Sequence, residues 1–290
     1  LLVSYKTHAG DARIPSVCED MKKEMGEGKY YADMLERMAQ FELTLLDWAE
    51  GHKGARKYVA FADKCWPAFP TEFGFEPCFV NSRLVTRGIP VACEVDIYGA
   101  LSEYIGMCAS GDTVTLLDIN NSVPQYIYDE DITGKFNYKL TDTFMGFHCG
   151  NTPSCKMCSD RAVKYQLIQH RLLEPAGSDP DFTRGTLEGD IAPSDITFYR
   201  LQCDSEGQLR AYIAQGEILP VATRSFGGIA IHLGLARARV AAAEVGAVVL
   251  AGLGDAVAFF LVGGHGRGGS QSTSGHQASQ GGSDQSAGCL

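Results

Sequence analysis

The run Val91–Asn121, VACEVDIYGALSEYIGMCASGDTVTLLDINN, decides how we expect the chain to fold. It begins with a short apolar segment, continues through Val95–Met107 with apolar side chains at helical spacing, and becomes apolar again at Thr113–Leu117. An alternation of strand, helix and strand is typical of a right-handed crossover in a parallel sheet. The run therefore predicts part of a Rossmann-like α/β domain. On its helix we expect these side chains to face inward: Ile97, Ala100, Leu101, Tyr104 and Ile105.

Regular elements are also predicted upstream of this run. The first residues, Leu1–Tyr5, have the composition of a strand, and Lys29–Glu50 has the apolar spacing of a long helix. Tyr58–Ala62 is short and apolar, which favours a buried strand. Thr71–Arg87 predicts a helix with an irregular start. Together with the central run, these segments predict that the Rossmann-like α/β domain covers residues 1–142.

The sequence pattern changes after about residue 140. Short, often alternating polar and apolar runs follow one another between Gly, Asp and Pro, which is typical of antiparallel strands. These runs are 144–148, 184–188, 196–201 and 210–217. One helix is predicted among them, from Arg161 to Leu173. We therefore expect a mostly antiparallel β domain over residues 143–231. Residues 232–290 end in Gly, Ser and Gln and predict an aberrant or disordered tail.

Composition and charge exclude several classes of protein. The chain has 290 residues, 45% hydrophobic content and a formal net charge of −10. Such an acidic chain repels phosphate backbones and anionic bilayers, so we expect neither a nucleic acid nor a membrane as a partner. Its ten cysteines are scattered through a chain too long for a secreted disulfide framework, which favours reduced thiols and a cytoplasmic protein. Because it begins with Leu1 rather than Met, we expect a fragment of a longer protein.

Two acidic residues stand where parallel sheets bind ligands. Glu94 lies just past the carboxyl end of one predicted strand, and Asp118 ends the next. Neighbouring strands lie about 4.8 Å apart, so the two carboxylates can converge on one divalent ion. Oxygen ligands favour a hard cation such as Mn²⁺ or Mg²⁺. Spacing alone leaves the alternative that Glu94 caps a helix and Asp118 opens a turn.

A series of motifs resembles the metal-bearing part of the L-fucose/L-arabinose isomerase family. The motifs are CWPAFPTEFG (65–74), ACEVDIYGAL (92–101), LLDINN (116–121), FHCGNTPSC (147–155), RLLEP (171–175), TRGTLEG (183–189) and RSFGGIAI (224–231). The resemblance covers roughly residues 1–231 and lacks the N-terminal domain of the family. It implies that Glu94 and Asp118 are the metal-binding carboxylates.

The resemblance also implies the chemistry. The family interconverts aldoses and ketoses through an ene-diol, so the expected partner is a small-molecule sugar. A bound Mn²⁺, or another hard divalent cation, polarises the carbonyl and the adjacent hydroxyl, and a carboxylate moves the proton. Glu94 and Asp118 would both hold the metal, and either could be the base. Full-length members are homo-oligomers whose pocket draws on a neighbouring subunit, which we also expect for the full-length form here.

The chain departs from the family pattern near its end. The third protein ligand of the family is a His in a His-rich motif near the C-terminus, and this chain loses the pattern just before that motif. His232 and His265 are the nearest histidines, but neither has a matching context, so no third ligand is carried over. A first alternative is therefore a catalytically incomplete fragment of such an enzyme.

A second alternative comes from one cluster of soft ligands. His148, Cys149, Cys155 and Cys158 form the pattern H-C-x₅-C-x₂-C. Thiolates this close can share a tetrahedral zinc ion, although zinc sites usually use two well-separated pairs. The alternative is a zinc-stabilised binding module, and it predicts a stoichiometric zinc that survives Glu94→Ala.

Overall fold

The structure is a computed structural model of the chain, and it describes residues 1–148, 151–221, 229–234 and 258–263. For residues 119–122, 147, 229–234 and 258–263 it describes the backbone alone. Most of the predicted tail, including His265, lies outside the described residues, as does Cys149. The expectation of a disordered tail therefore stays a prediction.

Helices and strands are mixed in the described residues, with most helices before residue 142 and most strands after it. The α-helices are α1 Leu2–Thr7, α2 Ile14–Met25, α3 Leu35–Lys53, α4 Ala68–Phe73, α5 Cys78–Thr86, α6 Ile97–Ser110, α7 Gln125–Ile127 and α8 Leu167–Leu173. The strands are β1 Phe61–Ala62, β2 Val91–Ala92, β3 Val114–Ser122, β4 Thr143–His148, β5 Ala162–Tyr165, β6 Arg184–Asp190, β7 Ser194–Cys203, β8 Leu209–Ile218, β9 Ile229–Gly234 and β10 Ala258–Gly263. Mixed helices and strands confirm the α/β composition that the sequence predicts. No helix in these described ranges is long and apolar enough to cross a membrane.

The N-terminal helices surround an aromatic and methionine-rich core. The long predicted helix is confirmed as α3, whose buried face carries Met38 and Phe41. The prediction of a strand at the start is wrong, because residues 2–7 form α1. As a helix, α1 brings the Tyr5 ring to within 5.1 Å of the Phe73 ring, centroid to centroid. The side chain of Gln40 donates to the Tyr5 carbonyl at 2.6 Å, which fixes α1 on α3.

A two-stranded parallel sheet formed by β1 and β2 stands beside this core. The sequence predicts β3 as the next parallel strand, but β3 pairs antiparallel with β4 and β10 instead. The reason lies at the outer edge of β2. The Val91 carbonyl accepts a hydrogen bond from Asn151 Nδ2 at 2.8 Å, and the Val91 N–H donates to the Glu103 carboxylate. Side chains therefore occupy the edge that a third strand would need, and a larger Rossmann-like sheet is not found in the described residues.

The remaining strands form a mostly antiparallel sheet, as predicted. Six of them pair in a closed ring, in the order β3, β4, β9, β8, β7, β10 and back to β3. A closed ring leaves no edge strand exposed. β6 joins β9 in parallel, and β5 pairs with β6. Because β3 precedes residue 142 and the other strands of the ring follow it, the ring contains residues from both predicted domains. The domain boundary at residue 142 stays a prediction.

The helix predicted over residues 161–173 is only half correct. Its first part is the strand β5, and α8 begins at Leu167. The Val163 N–H donates to the Lys29 carbonyl at 2.8 Å, and Val163 is buried in the main core. Long-range pairing with β6 and packing against the N-terminal helices therefore override the local helical pattern.

Helix α6 connects the two sheets, with a face different from the one predicted. Its side chains Ile97, Leu101 and Ile105 are exposed, so the prediction that they face inward is wrong. The buried face carries Ala100 and several small or polar residues, namely Gly99, Ser102, Glu103 and Gly106. Ser102 shows why, because its Oγ accepts from the Leu201 N–H of β7 at 3.1 Å and its carbonyl accepts from Tyr199 Oη at 2.5 Å. Polar contacts with β7 thus orient the helix.

Candidate active site

The predicted ligand Glu94 lies in a strained turn between β2 and α6. Glu94 and Val95 both have a φ of 61°, in the left-handed region that non-glycine residues seldom adopt. Such conformations cost on the order of 1–3 kcal/mol each and cluster at functional sites. Two hydrogen bonds hold the turn, from the Val95 N–H to the Asp63 carbonyl at 2.8 Å and from the Asp96 N–H to the Cys93 carbonyl at 3.1 Å. The Glu94 side chain is exposed at the carboxyl end of the parallel pair.

Asp96 closes the turn and starts the helix. Its Oδ1 accepts from the Gly99 N–H at 2.8 Å, which is the N-cap interaction of α6. Arg200 of β7 holds the same carboxylate with two hydrogen bonds, of 2.7 and 2.9 Å. The turn that carries Glu94 is therefore anchored both to β1 and to the ring of strands.

Asp118 lies on β3, half-buried, opposite Phe147 of β4 and Ala258 of β10. The pairing of β3 with β4 becomes irregular directly after Asp118, between Ile119 and Ser122. Irregular pairing of this kind is over-represented beside active sites, where it re-aims side chains.

The two predicted carboxylates are related through the packing of the residues that precede them. Leu116, Ala92 and Ala100 form one cluster of buried side chains. Glu94 follows Ala92 by two residues, and Asp118 follows Leu116 by two and shares its face of β3. β2 and β3 are thus neighbours through side-chain packing rather than through the strand pairing that the sequence predicts. A shared metal ion at Glu94 and Asp118 stays a prediction.

A cluster of possible ligands that the sequence did not predict adjoins the turn of Glu94. Asp63, Cys65 and Cys93 each offer a ligand atom, and these atoms all lie within 4.8 Å of one another. Asn81 of α5 donates from Nδ2 to Asp63 Oδ2 at 2.8 Å. The only available signal was that Cys65 follows one predicted strand and Cys93 ends another, Val91–Cys93.

Comparison with known proteins shows what the chain is similar to. Residues 146–233 match the family model described as L-fucose isomerase, C-terminal domain. The chain is similar to L-fucose isomerases. The resemblance that the motifs predict is therefore confirmed.

Curated relatives of the chain are named sulfoquinovose isomerase. One from Alkalicoccus urumqiensis is 27% identical over 201 residues, which cover 67% of this chain and 39% of the relative. One from Clostridium sp. (strain MSTE9) is 27% identical over 168 residues, covering 55% of this chain and 30% of the relative. A third, from Priestia aryabhattai, is 24% identical over 202 residues, covering 69% and 38%. The matched region thus spans less than half of the length of these relatives.

A buried acid of α6 contacts β2, the strand that leads into the strained turn. Glu103 of α6 is 1% exposed, and it accepts a hydrogen bond from the Val91 N–H. Burial raises the pKa of Glu103 well above its ordinary value of 4.5, while nearby His148 lowers this pKa and Asp96 raises it.

The zinc pattern predicted at His148 is only partly described. His148 is buried, Cys155 is an exposed thiol, and Cys158 is disulfide-bonded. The expectation that all thiols are reduced is therefore wrong for Cys158. A sulfur in a disulfide offers no thiolate to a metal, so the pattern loses one of its ligands. Cys149 lies outside the described residues.

Three clefts open near these elements. One of about 340 Å³ lies at the end of β1, where Asp63 and Lys64 meet an aromatic wall that includes Trp48 and Phe69. Two others, of about 540 and 480 Å³, adjoin the exposed face of α6 at Tyr58 and Tyr104. Glu94 and Asp118 line none of these three clefts.

The donor chemistry of the two carboxylates fits a hard divalent cation. Glu94 is exposed and Asp118 is half-buried, so water can complete the coordination of an ion between them. The backbone of His232 pairs with Met145 of β4, but its side chain lies outside the described atoms. No third ligand is therefore assigned.

Proposed function

We propose that the chain carries the metal-binding and proton-transferring carboxylates of an aldose–ketose isomerase. One observation carries the proposal most strongly. The side chains of Leu116 and Ala92 pack in one cluster, and each is followed two residues later by an acid. The strained turn at Glu94 and the irregular pairing after Asp118 support it, because both features are typical of functional sites.

In this proposal Glu94 and Asp118 hold one hard divalent cation, Mn²⁺ in the first instance. When bound, the ion supplies Lewis-acid polarisation of the sugar carbonyl and the adjacent hydroxyl. One of the two carboxylates accepts the proton from the carbon that bears the hydroxyl and returns it to the former carbonyl carbon, while the hydroxyl proton moves to the former carbonyl oxygen. Asp63, Asp96 and Arg200 keep the turn in place, so that the Glu94 carboxylate does not need to be ordered during the reaction.

The relatives suggest which sugars to test. Proteins named sulfoquinovose isomerase are similar to this chain, and the family model is that of L-fucose isomerases. We therefore propose a free sugar substrate and a panel of sulfoquinovose, L-fucose and L-arabinose. We further propose a cytoplasmic protein that is a homo-oligomer in its full-length form.

Metal titration followed by an isomerase assay tests the proposal. Mn²⁺ should bind the chain with a stoichiometry of one, and Glu94→Gln or Asp118→Asn should abolish that binding. Glu50→Gln is a matched control, because Glu50 is an exposed acid at the end of α3 whose only described ion pair is with Lys53. Sugar interconversion is measured in the same samples. Mn²⁺ binding that is unchanged in both site variants would refute the assignment.

The assay also separates the second candidate function, a catalytically incomplete fragment. What favours it is the absence of a matching third ligand in the sequence, since His232 and His265 have no family context. This candidate predicts that Mn²⁺ binds through Glu94 and Asp118 while no sugar in the panel is interconverted.

A further inference from the structure

Three potential metal ligands converge at the carboxyl end of the β1–β2 pair. Asp63 directly follows β1, Cys65 lies two residues later, and Cys93 directly follows β2. A carboxylate oxygen and two sulfur atoms all lie within 4.8 Å of one another. The parallel register pairs Phe61 with Val91 and so brings the two strand ends to the same level.

The spacing of these atoms fits a tetrahedral ion. With a metal–sulfur distance of about 2.3 Å and a metal–oxygen distance of about 2.0–2.2 Å, neighbouring ligands of zinc lie roughly 3.5–3.8 Å apart. Donor atoms already within 4.8 Å need only small side-chain adjustments to reach this geometry. Two sulfur ligands select a thiophilic cation, whereas Mn²⁺ and Mg²⁺ prefer an all-oxygen site.

Burial and hydrogen bonding prepare the cluster for a cation. Cys65 and Cys93 are 3% and 4% exposed, while Asp63 is half-buried and leaves one side open to a fourth ligand such as water. Asn81 Nδ2 orients the Asp63 carboxylate through its Oδ2, in the way that outer hydrogen bonds orient metal ligands. The Asp63 backbone is fixed as well, because its N–H donates to the Ala92 carbonyl at 2.9 Å.

We propose that Asp63, Cys65 and Cys93 form a second metal site, which binds a thiophilic divalent cation of the Zn²⁺ type. The site is separate from the proposed carboxylate pair and does not depend on it. Cys93 and Glu94 are consecutive, and the Asp63 carbonyl holds the Val95 N–H. An ion at the second site therefore tethers both ends of the strained turn and stabilises it.

Zinc titration of the whole chain tests the site. Zn²⁺ is titrated against a chromophoric chelator, and Co²⁺ serves as a spectroscopic probe of sulfur ligation. The wild-type chain should bind one Zn²⁺ that Cys65→Ser and Cys93→Ser each weaken by more than the roughly 10–100-fold typical of losing an outer-shell partner. Zn²⁺ should raise the melting temperature of the wild-type chain, because the bound ion tethers the turn. This rise should disappear in both variants, because they no longer hold the ion.

Matched variants separate this site from the others. Cys155→Ser and Cys108→Ser remove exposed thiols and should leave Zn²⁺ affinity unchanged. Glu94→Gln and Asp118→Asn should retain Zn²⁺ binding even if they lose Mn²⁺, so failure of the proposed function leaves this inference intact. Zn²⁺ binding that is lost in Cys155→Ser but kept in Cys93→Ser would overturn the proposal.

X-ray absorption on the wild-type chain covers the case in which a serine variant fails to fold. The zinc edge should show two sulfur neighbours at about 2.3 Å together with oxygen neighbours. A shell of nitrogen and oxygen alone, or no Zn²⁺ retained after dialysis, would overturn the assignment without any substitution.

Discussion

Arg200 donates two hydrogen bonds to the carboxylate of Asp96, from Nη1 to Oδ2 at 2.7 Å and from Nη2 to Oδ1 at 2.9 Å. These residues are far apart in sequence, and they join the ring of strands to the turn that carries Glu94. Asp96 simultaneously caps α6 through the Gly99 N–H. One carboxylate therefore serves the start of the helix, the turn and the contact between the two sheets.

Arg200→Ala should destabilise the chain and loosen the turn. Paired hydrogen bonds between charged groups contribute about 1.5–3 kcal/mol when they are largely buried, and Arg200 is 8% exposed. We expect a loss of about that size in the free energy of unfolding, measured with urea. Arg210→Ala is the matched control, because Arg210 makes a single described hydrogen bond with Asp204 at the β7–β8 hairpin turn and is more exposed than Arg200. Equal losses in the two variants would contradict an anchoring role for Arg200.

Gly106→Ala should disrupt the contact between α6 and β7. A Cβ at this position would lie 1.7 Å from Tyr199 Oη, so either α6 or the side chain of Tyr199 would have to move. Overpacking of this kind costs about 1–3 kcal/mol, and the hydrogen bond from Tyr199 Oη to the Ser102 carbonyl would be strained as well. Urea unfolding monitored by circular dichroism measures the loss.

Gly51→Ala should instead stabilise the chain in the same urea unfolding experiment. Gly51 lies within α3, and a Cβ there would meet nothing within 4 Å. Alanine favours an open helical position by about 0.5–1 kcal/mol over glycine. An unaffected Gly106→Ala would show that the contacts of α6 differ from those described, and a destabilised Gly51→Ala would show the same for α3.

Four strands of the mostly antiparallel sheet were predictable because their signal is local. The runs that predicted β4, β6, β7 and β8 alternate residue by residue, and alternation needs no knowledge of distant partners. The neighbour of β2 was not predictable. Its outer edge is occupied by Asn151 and Glu103, and only the folded chain brings these side chains to Val91.

The candidate site also has features that the local sequence predicts and features that depend on distant contacts. The position of Glu94 at the end of a short strand followed from local sequence, but its strained φ did not. The buried face of α6 was assigned to apolar residues such as Ile97, whereas contacts with β7 select Ser102 instead. The Asp63, Cys65 and Cys93 cluster depends on the register of two strands far apart in the chain, which no local pattern encodes.

Val95→Gly should stabilise the chain by relieving the strained turn. Val95 has a φ of 61°, and a β-branched side chain in this region costs on the order of 1–3 kcal/mol. Glycine adopts it freely but loses about 0.5–1 kcal/mol of chain entropy on folding. A net gain of about 0.5–2 kcal/mol in urea unfolding is expected from these terms. Val3→Gly, at an exposed position of α1, should instead destabilise the chain. Destabilisation by Val95→Gly would contradict the strained conformation.

Glu103→Gln should change how stability depends on pH. Burial raises the pKa of Glu103 above its ordinary 4.5, so the folded chain holds this proton more tightly than the unfolded chain does. The contribution of Glu103 to stability is therefore greatest below about pH 4.5 and falls as the pH rises towards the folded pKa, by at most about 1.4 kcal/mol per pH unit. A glutamine cannot ionise but keeps an acceptor for the Val91 N–H. The variant should be more stable than the wild type at pH 7 and comparable at pH 4.

Glu174→Gln gives the matched control with the opposite sign. Burial opposes the shift, but hydrogen bonds from Thr183 and from the Asp181 N–H lower the pKa of Glu174. Its contribution to stability is thus present above about pH 4.5 and is lost as the pH falls through the folded pKa. Glu174→Gln should lose stability at pH 7 and little at low pH. Urea unfolding at several pH values measures both variants, and parallel pH profiles for the wild type and Glu103→Gln would contradict a buried, proton-retaining Glu103.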